Sequence, residues 1–129
     1  MSHQWQVSVA GAQYLLAQVV KHFFRPKKFG LVVAVLTAAM GSKEKQAAAN
    51  MGAYVIAKYG LRGLLKAAEA EYPWLRCAEI LPDFIETNML NVFDERYLDL
   101  ERAKKPIGRF STADEVAEDI IHRILIEQP

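Results

Sequence analysis

Cysteine is almost missing from these 129 residues: Cys77 stands alone. That excludes a disulfide framework and a thiolate metal cage, and it fits a reducing compartment, the cytoplasm. Long apolar runs are missing too. The longest, Leu31 to Gly41, has eleven residues, against the roughly 20 a helix needs to span a bilayer. The apolar stretch Val7–Val20 has no Lys or Arg before it and is interrupted by Gln13 and Gln18, which argues against a secretion signal. Glycine numbers seven and nowhere forms a Gly-x-x-x-Gly-x-Gly turn. His3, His22 and His122 have no ligand spacing with one another or with carboxylates, so no metal site is expected. Acid is scarce in the first half: residues 1–64 hold eight Lys/Arg against Glu44 alone, a net of +7, and residues 65–129 carry −6. The total of +1 argues against bulk nucleic-acid binding. The basic and aromatic run Lys21–Phe29 reads as a solvated helix end with Phe23 and Phe24 turned to the core.

What is present is 52% hydrophobic and 24% charged, the composition of one globular domain, residues 1–129. Residues 6–24 place Val9, Ala12, Leu15, Leu16, Val19, Val20 and Phe23 at the 3.6-residue period of a helix, ended by Pro26. Residues 31–36 are Val-rich without alternation, the pattern of a parallel strand buried on both faces. A loop from Thr37 leads to a helix over 47–71, stopped by Tyr72-Pro73. A second strand is expected over 74–81, an irregular excursion over 83–111 and a helix over 112–126. Thr112 and Glu115 match a capping box that opens this last helix, with Val116, Ile120, Ile121, Ile124 and Leu125 facing inward. This order is an α/β fold built on one right-handed β-α-β crossover with flanking helices. Ligands bind such units at the loops after the strands, which begin at Thr37 and Pro82.

Tyr54 and Lys58 lie four apart and share a helix face. A phenol is too weak an acid to trade protons freely near neutral pH, and a fixed ammonium beside one favours its ionised form. The pair can thus serve as a general acid/base for a carbonyl or an alcohol, with the Thr37 hydroxyl holding the same oxygen. The same spacing also arises by chance as a surface pair on many helices. Cys77, in mid-strand, reads as packing rather than as a nucleophile.

Five motifs in order give the pair a context. Val7-Ser8-Val9-Ala10-Gly11 resembles an Asn-x-x-Gly helix opening. Gly30 with Leu31–Leu36 and Thr37 resembles a strand ending in a catalytic serine. Ala53-Tyr54-Val55-Ile56-Ala57-Lys58 with Gly60 and Gly63 resembles a Tyr-x-x-x-Lys helix. Pro82–Met89 resembles a Pro-Gly-x-x-x-Thr loop, and Pro106-Ile107-Gly108-Arg109 before Thr112–Ala117 resembles a Pro-x-Gly-Arg closing segment. Together they resemble the C-terminal half of the short-chain dehydrogenase/reductase family, whose members transfer hydride between NAD or NADP and a carbonyl or alcohol carbon. The resemblance implies a partial Rossmann-like, doubly wound fold. It makes Tyr54 the proton donor or acceptor, with Lys58 activating it and binding the nicotinamide ribose. Thr37 stands in for the serine, Ser8 for the asparagine that supports proton relay, and Pro82 and Thr87 border the nicotinamide.

The departures from that pattern bear on activity. Threonine replaces serine and lies seventeen residues before Tyr54, more than is common in the family, so Ser42, twelve before, is the rival hydroxyl. Asp83 replaces the glycine after Pro82. Relative to the family, the N-terminal nucleotide-binding strands and the last strand lie outside this sequence. The chain alone therefore has little means of holding a dinucleotide, and a two-stranded parallel sheet leaves an open edge. The expected partner is a second copy or a complementing subunit of the same family, with a small carbonyl or alcohol as substrate. The family's helix interface would bring Ala57, Gly60 and Gly63 against a symmetry mate, unless they pack within the chain. The alternative function is a non-catalytic subunit or remnant acting through that interface.

Overall fold

The computed structural model describes residues 2–127, so Met1 and residues 128–129 of the expected domain lie outside it. The N-terminal helix runs unbroken through residues 2–27. Its ladder widens to π spacing over Gln6–Ala10 and again over Val20–Phe24. The second widening lies directly ahead of Pro26, whose nitrogen has no hydrogen to donate. The helix therefore absorbs Pro26 instead of stopping there, and ends at Lys28 in the left-handed conformation (φ +50°).

Strand β1 (Gly30–Val35) pairs in parallel with β2 (Leu75–Ile80), with Gly30 opposite Leu75 and Val35 opposite Ile80. A crossover helix, Gly52–Glu71, joins them. It begins five residues later than expected. The helix-favouring Ala47-Ala48-Ala49 stays in the loop because Asn50 turns the chain at φ +63°, which a right-handed helix cannot run through, while the Ala48 N–H donates to the Ala39 carbonyl (2.8 Å). Gly41 opens this loop at φ +82°. A Cβ there would fall 2.7 Å from the Lys45 carbonyl oxygen, so the return of the loop requires glycine.

The main core forms where Ala34 and Leu36, on one face of the strand, meet Met40 and Leu65, with Leu16, Val32, Leu61 and Cys77 around them. β1 is less covered than its sequence implies. Val35 is 40% exposed, because among the described residues the sheet has two strands and one long edge of β1 is unpaired. An apolar groove of about 320 Å³ runs beside β1, between Leu15 and Val19 of the N-terminal helix and Leu64 of the crossover helix.

The N-terminal helix crosses the crossover helix at Gly60, where a Cβ would come within 2.8 Å of both Trp5 and Val9. Ala57 is buried within the chain as well. The close approach expected between symmetry mates is therefore used inside one chain at these two positions, while the Gly63 site is open. Gly60→Val is expected to lower stability by about 1–3 kcal/mol through overpacking. Gly63→Ala should raise it by up to about 1 kcal/mol through helix propensity. Urea unfolding of the two variants checks the contrast.

The excursion folds around its own small core of Leu90, Leu98 and Phe110, with Phe84 and Phe93 against it. It contains a 3₁₀ turn, Asn88–Val92, and a helix, Glu95–Ala103. Its ends meet: Ile85 bridges Ser111, the Glu86 N–H donates to the Ser111 carbonyl (2.9 Å), and Lys105 pairs with Asp83. The C-terminal helix, Ala113–Glu127, contacts both strands. Its start is the expected box: the Glu115 N–H donates to Thr112 Oγ1 (3.2 Å) and the Thr112 N–H to Glu115 Oε1 (2.9 Å). Hydrogen bonding from Arg109, then from the Thr112 backbone, pulls the Glu115 carboxyl down to about 2. Ile121 and Leu125 face outward, 57% and 64% exposed. They sit about 100° around the helix from Ile120 and Ile124, which are partly covered with Val116.

Candidate active site

The two strands end side by side, and their ladder continues past them. The Leu36 N–H donates to the Ile80 carbonyl (2.8 Å) and the Ala38 N–H to the Pro82 carbonyl (2.9 Å). This carries Thr37 and Pro82 out of the sheet as neighbours. Thr37 is still extended (φ −159°, ψ 144°), and its Oγ1 accepts the Ala39 N–H at 3.2 Å, opening a 3₁₀ turn over Ala38–Met40.

The crossover helix brings its amine to the same place. Lys58 Nζ donates to the Val35 carbonyl at 3.0 Å, at the last residue of β1. Burial lowers the Lys58 pKa, since the charged form loses water there. Tyr54, one turn earlier and half-buried, presents its ring to this amine, with Nζ 5.5 Å from the ring centre. This is a cation–π contact on the ring face, and the amine's own hydrogen bond goes to the backbone. Lys58, with the Tyr54 ring against it, thus stands at the end of β1, two residues before Thr37.

The other expected residues are placed differently. Ser42 is exposed, and its hydroxyl closes its own turn by accepting the Glu44 and Lys45 N–H groups at 3.3 and 3.2 Å. Ser8 lies half-buried on the first π segment, which packs on the crossover helix, but no hydrogen bond among the described residues joins it to Tyr54, Lys58 or Thr37. Pro82 joins the site through its carbonyl. Thr87 is exposed and precedes the Asn88–Val92 turn without capping it through its side chain. Burial disfavours the charge on Asp83, yet Lys105 and the Phe84 N–H (2.8 Å) outweigh it and hold the carboxyl below its ordinary range. Cys77 is half-buried among apolar groups, and burial pushes its thiol up to about 11, too high for a ready nucleophile.

Two residues escaped the sequence reading. Tyr59 donates to the Met40 carbonyl at 3.0 Å, and Arg62 binds Glu79 of β2 through Nε and Nη2 at 2.8 and 3.0 Å. Their i,i+3 spacing on the helix was the available signal, because it lets a guanidinium cover a phenol ring. Among the described residues no helix is long and apolar enough to cross a membrane, and no three His, Cys, Asp or Glu side chains gather as a metal site.

Known proteins resemble this chain in sequence and in fold. The family pattern described as enoyl-(acyl carrier protein) reductase matches residues 1–122. The NADP-dependent mannitol dehydrogenase of Hypocrea jecorina is 30% identical over 115 residues, 88% of this chain and 42% of that protein. Cyclohexanol dehydrogenase of Acinetobacter sp. is 39% identical over 72 residues, 54% of this chain and 27% of that protein. Among solved structures, an actinorhodin polyketide ketoreductase with NADPH superposes with a TM-score of 0.72 at 22% identity, covering 89% of this chain and 48% of its own. A gluconate 5-dehydrogenase from Burkholderia cenocepacia, in complex with NADP and tartrate, gives 0.64 at 20% identity, covering 83% and 42%. These two establish a partial Rossmann-like fold, and the chain spans less than half the length of the curated relatives it matches. With the family pattern running through nearly every residue, and the parallel crossover folded as that pattern requires, the chain belongs to the short-chain dehydrogenase/reductase family.

Proposed function

We propose that this chain carries the proton-transfer part of an NAD(P)-dependent short-chain dehydrogenase/reductase that reduces a small carbonyl compound or oxidises the corresponding alcohol. The observation that supports it most is the Lys58–Val35 hydrogen bond, which fixes the amine at the strand end with Tyr54 beside it. In this reading Tyr54 Oη gives a proton to the carbonyl oxygen or takes one from the alcohol. Lys58 lends positive charge to the phenol and a donor to the nicotinamide ribose. The Thr37 hydroxyl, held at the strand end, orients the substrate oxygen. Ser8 assists proton relay, and Pro82 and Thr87 border the nicotinamide. The mannitol and cyclohexanol dehydrogenases among the relatives support a polyol or alicyclic alcohol and its ketone as substrate class.

The fit to the cofactor divides along its length. The chemistry drawn from it is the hydride, and the nicotinamide-ribose end would meet Lys58, Thr87 and the Pro82 backbone. Its pyrophosphate needs N–H groups at a glycine-rich helix start, and the described residues offer none beside this site. That part is supplied by another segment or by a complementing subunit. The unpaired edge of β1 and the apolar groove beside it support such an association. A second reading, a non-catalytic subunit of a related enzyme, would act through the same edge and groove.

One experiment divides the two. NADPH-dependent reduction of cyclohexanone and fructose is measured with the purified chain, alone and mixed with a full-length relative inactivated at its own tyrosine. We expect turnover that falls at least about a hundredfold in Tyr54→Phe, the scale of a lost general acid. Equal turnover in Tyr54→Phe rejects the catalytic role. A folded chain with no turnover in either setting leaves the subunit reading.

A further inference from the structure

We infer that Tyr59 is a positioning residue whose hydroxyl sets where the Thr37 turn stands relative to Tyr54 and Lys58; the inference rests on the reaction proposed above. Lys58 and Tyr59 are consecutive on the crossover helix, yet they reach opposite sides of Thr37. Lys58 holds the Val35 carbonyl, two residues before it, and Tyr59 holds the Met40 carbonyl, three residues after it, each at 3.0 Å. The helix thereby brackets the strand end.

Other bonds shape the turn without fastening it to that helix. Ala39 N–H to Thr37 Oγ1 (3.2 Å), Met40 N–H to the Thr37 carbonyl (3.2 Å) and Gly41 N–H to the Ala38 carbonyl (3.1 Å) are local, and the Ala48–Ala39 bond leads only to the exposed loop. Met40 buries its side chain in the main core, which fixes its Cα but leaves the direction of its carbonyl to the hydrogen bond. After it, Gly41 turns into a loop exposed from Ser42 to Asn50.

The phenol that holds this carbonyl is itself held. The Arg62 guanidinium carbon lies 5.3 Å from the Tyr59 ring centre, and Arg62 is bound at two points by Glu79. Glu79 sits on β2 opposite Ala34. The contacts therefore run from β2 through Glu79, Arg62 and Tyr59 to the turn that carries Thr37. Such a frame fixes a hydroxyl against a phenol borne on another element, and misplacement by about 1 Å can cost a hundredfold in rate.

Tyr59→Phe keeps the ring under Arg62 and removes only the donor. In the chain that turns over, alone or complemented, kcat is expected to fall about tenfold with KM changed less than about twofold and the melting temperature nearly unchanged. Amide hydrogen exchange should quicken at Met40 and Gly41 and stay as in the parent across β1 and β2. Unchanged exchange at Met40 and Gly41 overturns the inference whether or not turnover is measurable. Parent kcat in Tyr59→Phe, with Tyr54→Phe inactive, overturns it while leaving the proposed reaction intact. Turnover surviving in Tyr54→Phe rejects that reaction first.

Discussion

Phe110→Ala is expected to cost about 3–5 kcal/mol, the range for removing a fully buried aromatic side chain, and to release the excursion without melting the sheet. Phe110 is 2% exposed and fills the small core with Leu90 and Leu98, its ring 5.2 Å from that of Phe84. Arg102 lies over the same ring, its guanidinium carbon 4.9 Å from the ring centre. Arg102 reaches Glu86, Glu95 and Asp99 at 2.8–3.0 Å, so the aromatic ring supports the ion-pair network that ties the Glu95–Ala103 helix to the start of the excursion. An alanine would leave a cavity and an unsupported guanidinium together. Because this cluster is separate from the one at the sheet, hydrogen exchange should show lost protection over residues 88–103 with β1 and β2 retained. Loss of protection everywhere at once would show the two cores to be one cooperative unit.

Leu36→Ala tests the other core and should cost about 2–5 kcal/mol, the spread depending on how far the site collapses. Leu36 is 2% exposed and meets Ala34, Met40 and Leu65, and its N–H carries the ladder beyond β1. The cavity would open directly beneath Thr37 and against the buried Met40 side chain. We therefore expect global loss of stability in urea, together with lower turnover in whatever chain remains folded. A loss below about 1 kcal/mol would mean that the neighbouring side chains refill the space.

Much of this arrangement could be read from local pattern. The Val-rich run before Thr37 marked β1, and Thr112 with Glu115 marked the start of the last helix, because each signal is written within a few residues. The Tyr54–Lys58 spacing gave a shared face, and the ordered motifs gave the family. What escaped depends on pairing across distance. The Ala47–Ala49 segment favours helix locally but is cut off from the crossover helix by the left-handed turn at Asn50. Glu79 is a charge within β2 whose partner, Arg62, lies seventeen residues earlier on the crossover helix. Asp83, a carboxylate where the resembled loop has glycine, is answered by Lys105, twenty-two residues on. Buried faces on both sides of β1 follow from a Val-rich run without alternation, and that pattern says nothing about how many neighbouring strands are at hand.

The joined ends of the excursion carry a consequence of their own. Asp83 with Lys105, Ile85 with Ser111 and the Glu86–Ser111 bond bring entry and exit together on the scaffold, so the segment between them behaves as an exchangeable cassette. Its length and side chains can change with little strain on the strands and the crossover helix. A change of sequence between those ends would thus leave the Tyr54–Lys58 contact on the crossover helix in place.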